Sequence, residues 1–129
     1  MRGSFYGESA VVETNGDLLQ VLSRMYWFTG NRDYLEWAAE IADHYLNDKN
    51  LPTSGPGKLR IRDHGCEIIS GLCEAYLAVS YVWPEKREAW QPFIHQMLDR
   101  ILEAGRNFIM IPVLSNNTVR EAPLNFQLN

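Results

Sequence analysis

Residues 58–69 read KLRIRDHGCEII and crowd most of the reactive side-chain types into one short stretch. Asp63, His64, Cys66 and Glu67 fall within five positions. Two carboxylates held close together can divide the work of general acid and general base, or of acid and nucleophile, which is what glycoside hydrolysis requires. Asp63, His64 and Glu67 are therefore the candidate catalytic residues. His64 and Cys66 also offer a base and a nucleophile. Positions i and i+2 do not face each other on a helix, so that pair meets only if His64 precedes the helix that follows. Just upstream, Lys58, Arg60 and Arg62 alternate with Leu59 and Ile61. The guanidinium fork suits a carboxylate or phosphate, so Arg60 and Arg62 are expected to bind an anionic substrate such as a uronate. A plainer reading covers the same residues. Asp63 or Gly65 caps a helix, Glu67 complements its dipole, Cys66 is a buried inert thiol, and the cations are a solvated face.

The elements that must position this cluster are helical. Apolar residues recur at helical spacing in four segments, near 8–28, 32–46, 66–82 and 84–104. In the first, Val11, Leu18, Leu22 and Met25 form one apolar stripe, with Leu19 and Tyr26 beside it. In the second, Tyr34, Ala38, Ile41 and Tyr45 form one row and Leu35, Ala42 and Leu46 its neighbour. The third carries Ile68, Leu72, Ala75, Val79 and Val82, and is apolar on most of its other sides as well. The fourth carries Trp90, Ile94, Met97 and Ile101, with Pro92 inside it as a kink or a late start and Gly105 as its stop. Thr29-Gly30-Asn31 and Pro84 punctuate short links, whereas residues 47–65, rich in Gly, Pro and polar residues, form one long connection. The fold expected is all-α: two antiparallel helical hairpins, 8–46 and 66–104, in a single domain spanning 1–107. Residues 108–129 are expected to form a non-helical tail in which Phe108 to Leu114 is a strand-like apolar run. A shift of 56 residues superimposes Tyr34 on Trp90 and Ile41 on Met97. Hairpins repeating at that length suggest a solenoid or a closed toroid.

Composition narrows the function classes. The chain has 129 residues, one ordinary domain, with 46% hydrophobic and 22% charged residues. A net charge of -4 gives no support to nucleic-acid binding. No window is apolar enough for a membrane span and the N-terminus lacks a secretory signal's core, so no membrane role is expected. Cys66 and Cys73 on one helix stand about 10 Å apart, too far for a disulfide, and read as free thiols in a cytoplasmic setting. There is no phosphate-binding glycine loop and no metal-ligand spacing, so neither cofactor nor metal is expected.

The segment GDLLQVLSRMYWFTGNRDYLEWAAEIADHYL, followed after the long connection by RDHGCEIISGLCEAYLAVSYVWPEKREAW, resembles consecutive hairpins of the six-hairpin glycosidases. That resemblance covers roughly residues 7–107 and implies an (α/α)6 toroid, in which loops preceding the inner helices line a sugar-binding cleft. It implies a hydrolase of glycosidic bonds, in a style similar to that of the unsaturated glucuronyl hydrolases, with a carbohydrate substrate and with Asp63 in an acid or base role. Trp27 and Trp83, at helix ends, would stack on sugar rings. Of Glu8, Glu13 and Asp17, the early ones would approach the same cleft, the plainer reading being first-turn acids and solvated positions, while His44 and His95 would lie on outer helices. The departure is in number: two hairpins stand where the family has six. Either the chain is a fragment or copies of it assemble, and exposed inner-helix faces would demand a partner. The expectation is a homo-oligomer, most simply a two-fold dimer. The alternatives to a glycosidase are a non-catalytic helical oligomerisation or interaction module, and a hydrolase of another ester class with its cleft at an oligomer interface.

Overall fold

The computed structural model describes the backbone of residues 8–53 and 66–116, with side chains for 11–53 and 66–105. Four helices account for nearly all of it: α1 (Glu8–Thr29), α2 (Arg32–Tyr45), α3 (Glu67–Val82) and α4 (Pro84–Asn116). No strand occurs among the described residues.

The first link is built cap to cap. The Thr29 hydroxyl donates back to the Met25 carbonyl at 2.7 Å, and the Gly30 N–H reaches the Tyr26 carbonyl at 2.8 Å. Gly30 has a φ of 71°, the left-handed conformation that a residue without Cβ adopts freely at a helix end. Asn31 then accepts from the Asp33 N–H at 3.0 Å and starts α2. The second link is shorter still. Trp83 alone separates α3 from α4, its N–H bonded to the Val79 carbonyl at 2.7 Å. Pro84 takes the first position of α4, where its missing N–H costs nothing. The end of α2 is closed by Asn47, whose amide donates to the carbonyls of Asp43 and His44 while its oxygen accepts from the N–H groups of Lys49 and Asn50.

Contacts fix the helix directions. Asn15 donates to the Tyr45 hydroxyl at 2.8 Å, so α1 and α2 run antiparallel across their two-residue link. Gln20 meets Glu67, Arg24 meets Glu74 and Trp27 meets Tyr81, so α1 and α3 lie side by side and parallel. They come into close contact at two glycines. A Cβ on Gly16 would lie 2.4 Å from the Glu67 carbonyl carbon, and one on Gly71 would lie 2.5 Å from the Gly16 carbonyl oxygen. Asp43 ties α2 to α4, accepting from the Trp90 indole at 2.7 Å and pairing with Lys86.

The core joins all four helices through Leu19, Leu35, Leu72, Val79, Trp90 and Met97. The expected rows of α2 and α4 are buried except Tyr34, which is half-buried, and on α3 Ile68, Leu72, Ala75 and Val79 are buried while Val82, at the helix end, is exposed. Two assignments require correction. On α1 the buried row is Gly16, Leu19, Leu22 and Ser23, while Val11, Leu18 and Met25 are only half-buried. Apolar spacing alone points to the larger residues, but this helix turns its small ones inward to let α3 approach. The C-terminal boundary also moves: the backbone stays helical through Gly105 to Asn116, so residues 108–114 are helical and not strand-like. A short apolar run is compatible with either state, and glycine inside a helix costs only about 1 kcal/mol relative to alanine. Pro92 is likewise held within α4.

Candidate functional site

The described part of the predicted cluster sits at the N-terminus of α3. Cys66 occupies the N-cap position in helical conformation and makes no side-chain cap bond. The capping expected of Asp63 or Gly65 falls on residues outside the described ones, as do the candidate roles of His64, Arg60 and Arg62. Glu67 lies in the first turn, as expected from the dipole. Its carboxylate is committed to α1: Gln20 donates its amide to Glu67 Oε2 at 2.9 Å and, more weakly, to the Glu67 carbonyl at 3.4 Å. The Cys66 thiol stands 4.0 Å from Glu67 Oε1. A half-buried carboxylate oriented by a neutral donor can act as a base or a nucleophile, and it can equally be a helix–helix tie.

Two further rungs follow along the α1–α3 seam. Arg24 grips Glu74 through two bonds, Nη2 to Oε1 at 2.7 Å and Nε to Oε2 at 3.2 Å. The hydrogen bond and the charge of Glu74 raise the guanidinium above its ordinary value, so Arg24 stays charged at every accessible pH. At the far end, the half-exposed ring of Trp27 meets Tyr81 edge to face with centroids 5.7 Å apart.

These rungs separate the site residues that the sequence grouped. Tyr81 follows Glu67 by fourteen positions, about 21 Å along a helix at 1.5 Å per residue. Trp27 and Trp83 therefore stand at the opposite end of α3 from Glu67. Trp83 is also engaged already: the Arg32 guanidinium lies 4.8 Å from its ring centroid and the Lys86 ammonium 5.4 Å. Arg32 also donates to the Val82 carbonyl at 3.5 Å, closing the end of α3. The part played by Gln20 was missed by sequence reasoning, because its partner is 47 residues away and no local pattern marks it.

Elsewhere, burial pushes the Cys73 thiol up from its ordinary value, which keeps it protonated and a poor nucleophile. Burial also raises the Tyr45 phenol, with the Asn15 hydrogen bond pulling the other way. His44 and His95 lie exposed on α2 and α4. A shallow polar hollow of about 520 Å³ is lined by Thr53, Gln96, Asp99, Arg100 and Glu103, on the side of α4 that borders the end of the α2 connection. Among the described residues no three His, Cys, Asp or Glu side chains are grouped to hold a metal ion, and no helix is long and apolar enough to cross a membrane. No protein-family model matches the sequence, no curated protein matches it, and no solved structure matches the fold.

Proposed function

We propose that the chain is a helical-hairpin module that works by associating with copies of itself through apolar residues on α1 and α3. One observation carries this reading: Val21, Trp27, Phe28, Leu77 and Tyr81 are large apolar side chains, at least half-exposed, on two adjacent parallel helices. Exposed large apolar side chains clustered on neighbouring helices of a small domain mark an interaction site. Sedimentation or light scattering from low to high micromolar concentration tests it. A dimer or larger species is expected, and a monomer throughout the range overturns the reading.

A second reading is a hydrolase of glycosidic bonds, among them those of anionic sugars, using Glu67 with Asp63 and His64. The half-buried Glu67 carboxylate, fixed by Gln20 at the start of α3, favours it, and so does the resemblance to six-hairpin glycosidases. A hydrolase of another ester class, its cleft formed between copies, would use the same end of the helix. A panel of chromogenic glycosides and esters separates these chemistries. Glu67→Gln should abolish any activity found while leaving the helical signal unchanged, and full activity in that variant removes Glu67 from the mechanism.

A further inference from the structure

The α1–α3 seam is a template for what lies beyond each end of the molecule. α1 ends at Thr29 and α3 at Val82, so equivalent positions on the two parallel helices stand 53 residues apart. On α1 the residues that meet α3 are Gly16, Gln20, Arg24 and Trp27. Their equivalents on α3 are Ile69, Cys73, Leu77 and Ser80. On α3 the residues that meet α1 are Glu67, Gly71, Glu74 and Tyr81. Their equivalents on α1 are Thr14, Leu18, Val21 and Phe28. Each of these two sets follows the spacing of a continuous helical stripe.

The two unmatched stripes correspond position by position. The charged rung Arg24–Glu74 becomes Leu77 opposite Val21, both apolar and both 54% exposed. The glycine contact becomes Ile69 opposite Leu18, both half-buried. The amide–carboxylate rung becomes Cys73 opposite Thr14, and the aromatic rung becomes Ser80 opposite Phe28, a residue 87% exposed. A charge lost from only one stripe would leave its partner facing an apolar surface. Here both members of the ion pair are replaced together, which keeps the two surfaces complementary. In repeat architectures each unit contacts only its neighbours, so a face equivalent to an internal one accepts the equivalent unit.

We infer that copies of this chain stack head to tail, with the Ile69–Leu77 stripe of α3 in one copy seated on the Leu18–Val21–Phe28 stripe of α1 in the next. This is a heterologous interface, in which two different surfaces meet, and not a two-fold one in which one surface meets itself. It rests on the self-association reading and specifies its geometry. Because Ile69 and Leu18 replace glycines, helices of neighbouring copies sit farther apart than α1 and α3 do.

Two variants, each broken at one face, test it. Leu77→Asp spoils the α3 stripe and leaves the α1 stripe intact; Val21→Asp with Phe28→Asp does the reverse. Both sets change exposed side chains, and far-UV circular dichroism checks that each variant keeps the wild-type helix content; Leu77→Ser and Val21→Ser serve where it does not. Light scattering should find each variant alone monomeric, and their equimolar mixture should form a complex of two chains. A mixture that stays monomeric, or single variants that still assemble like wild type, overturns head-to-tail stacking while self-association stands. A monomeric wild type overturns both.

Discussion

The helix α3 is packed on two sides by opposite means. Towards α1 it offers Gly71, and the two backbones come close enough that a methyl group on either glycine would strike main-chain atoms. Towards α4 the space is filled by large side chains, with Trp90, Ile94 and Met97 buried in the core with Leu72 and Val79. Both solutions reach the close packing that folded interiors require. They differ in what disturbs them: the glycine seam is sensitive to added atoms, and the layer towards α4 to removed ones. The seam also leaves its edges to polar and aromatic rungs, whereas Trp90 combines packing with a hydrogen bond to Asp43.

The largest expected effect is on the filled side. Trp90→Ala removes a fully buried indole and leaves Asp43 short of a donor, and should cost about 3–5 kcal/mol in denaturant unfolding. A loss under about 1 kcal/mol would mean that this layer can collapse around the gap. Gly16→Ala tests the seam from the other direction. Its Cβ would meet the Glu67 backbone, which cannot rotate away as a side chain would. Overpacking of this kind typically costs about 1–3 kcal/mol, and equal stability of Gly16→Ala and wild type would show that the helices part freely. Ser23 lies on the same row of α1, fully buried, and its hydroxyl has no hydrogen-bond partner among the described residues. Ser23→Ala should therefore raise stability, by about 1 kcal/mol, since burying an unpaired hydroxyl is unfavourable. A measured loss would reveal a partner for that hydroxyl in solution. The smallest effect belongs to the exposed rung: Arg24→Ala should leave the melting temperature close to wild type, because a solvent-screened ion pair contributes little.

Legibility followed the size of the side chains. The rows of α2 and α4 could be read directly because Leu35, Ala38, Trp90 and Met97 are apolar and recur at helical spacing. The α1 row could not, since its inward residues include Gly16 and Ser23, which read as neutral in a pattern search, while Met25 and Leu18 look like core and are half-covered. Turn chemistry at Thr29-Gly30-Asn31 was plain from residue types. Gly105 misled for the same reason, since a glycine that can end a helix need not do so. Leu51 and Thr53 are buried although they lie in a polar, proline-containing connection, a tertiary effect with no local signal. The helix starts Arg32 and Pro84 stand 52 residues apart (84 − 32), so the 56-residue shift sets the two patterns about one turn out of step and places half-buried Tyr34 on buried Trp90. Of the candidate site, the first-turn place of Glu67 could be read from its type and position, and its bond to Gln20 could not, because that bond joins distant parts of the chain.

The glycine contact has a consequence for how the molecule can change over generations. When a core built of large side chains, such as the one that holds Leu72 and Trp90, receives a larger residue, a smaller neighbour can restore the fit. Gly16 and Gly71 have no such escape, because neither partner has anything left to give up. Enlargement at one cannot be compensated at the other, so any lineage that keeps this crossing must keep both positions minimal, and one that loses either must rebuild the approach of α1 to α3 by moving a whole helix.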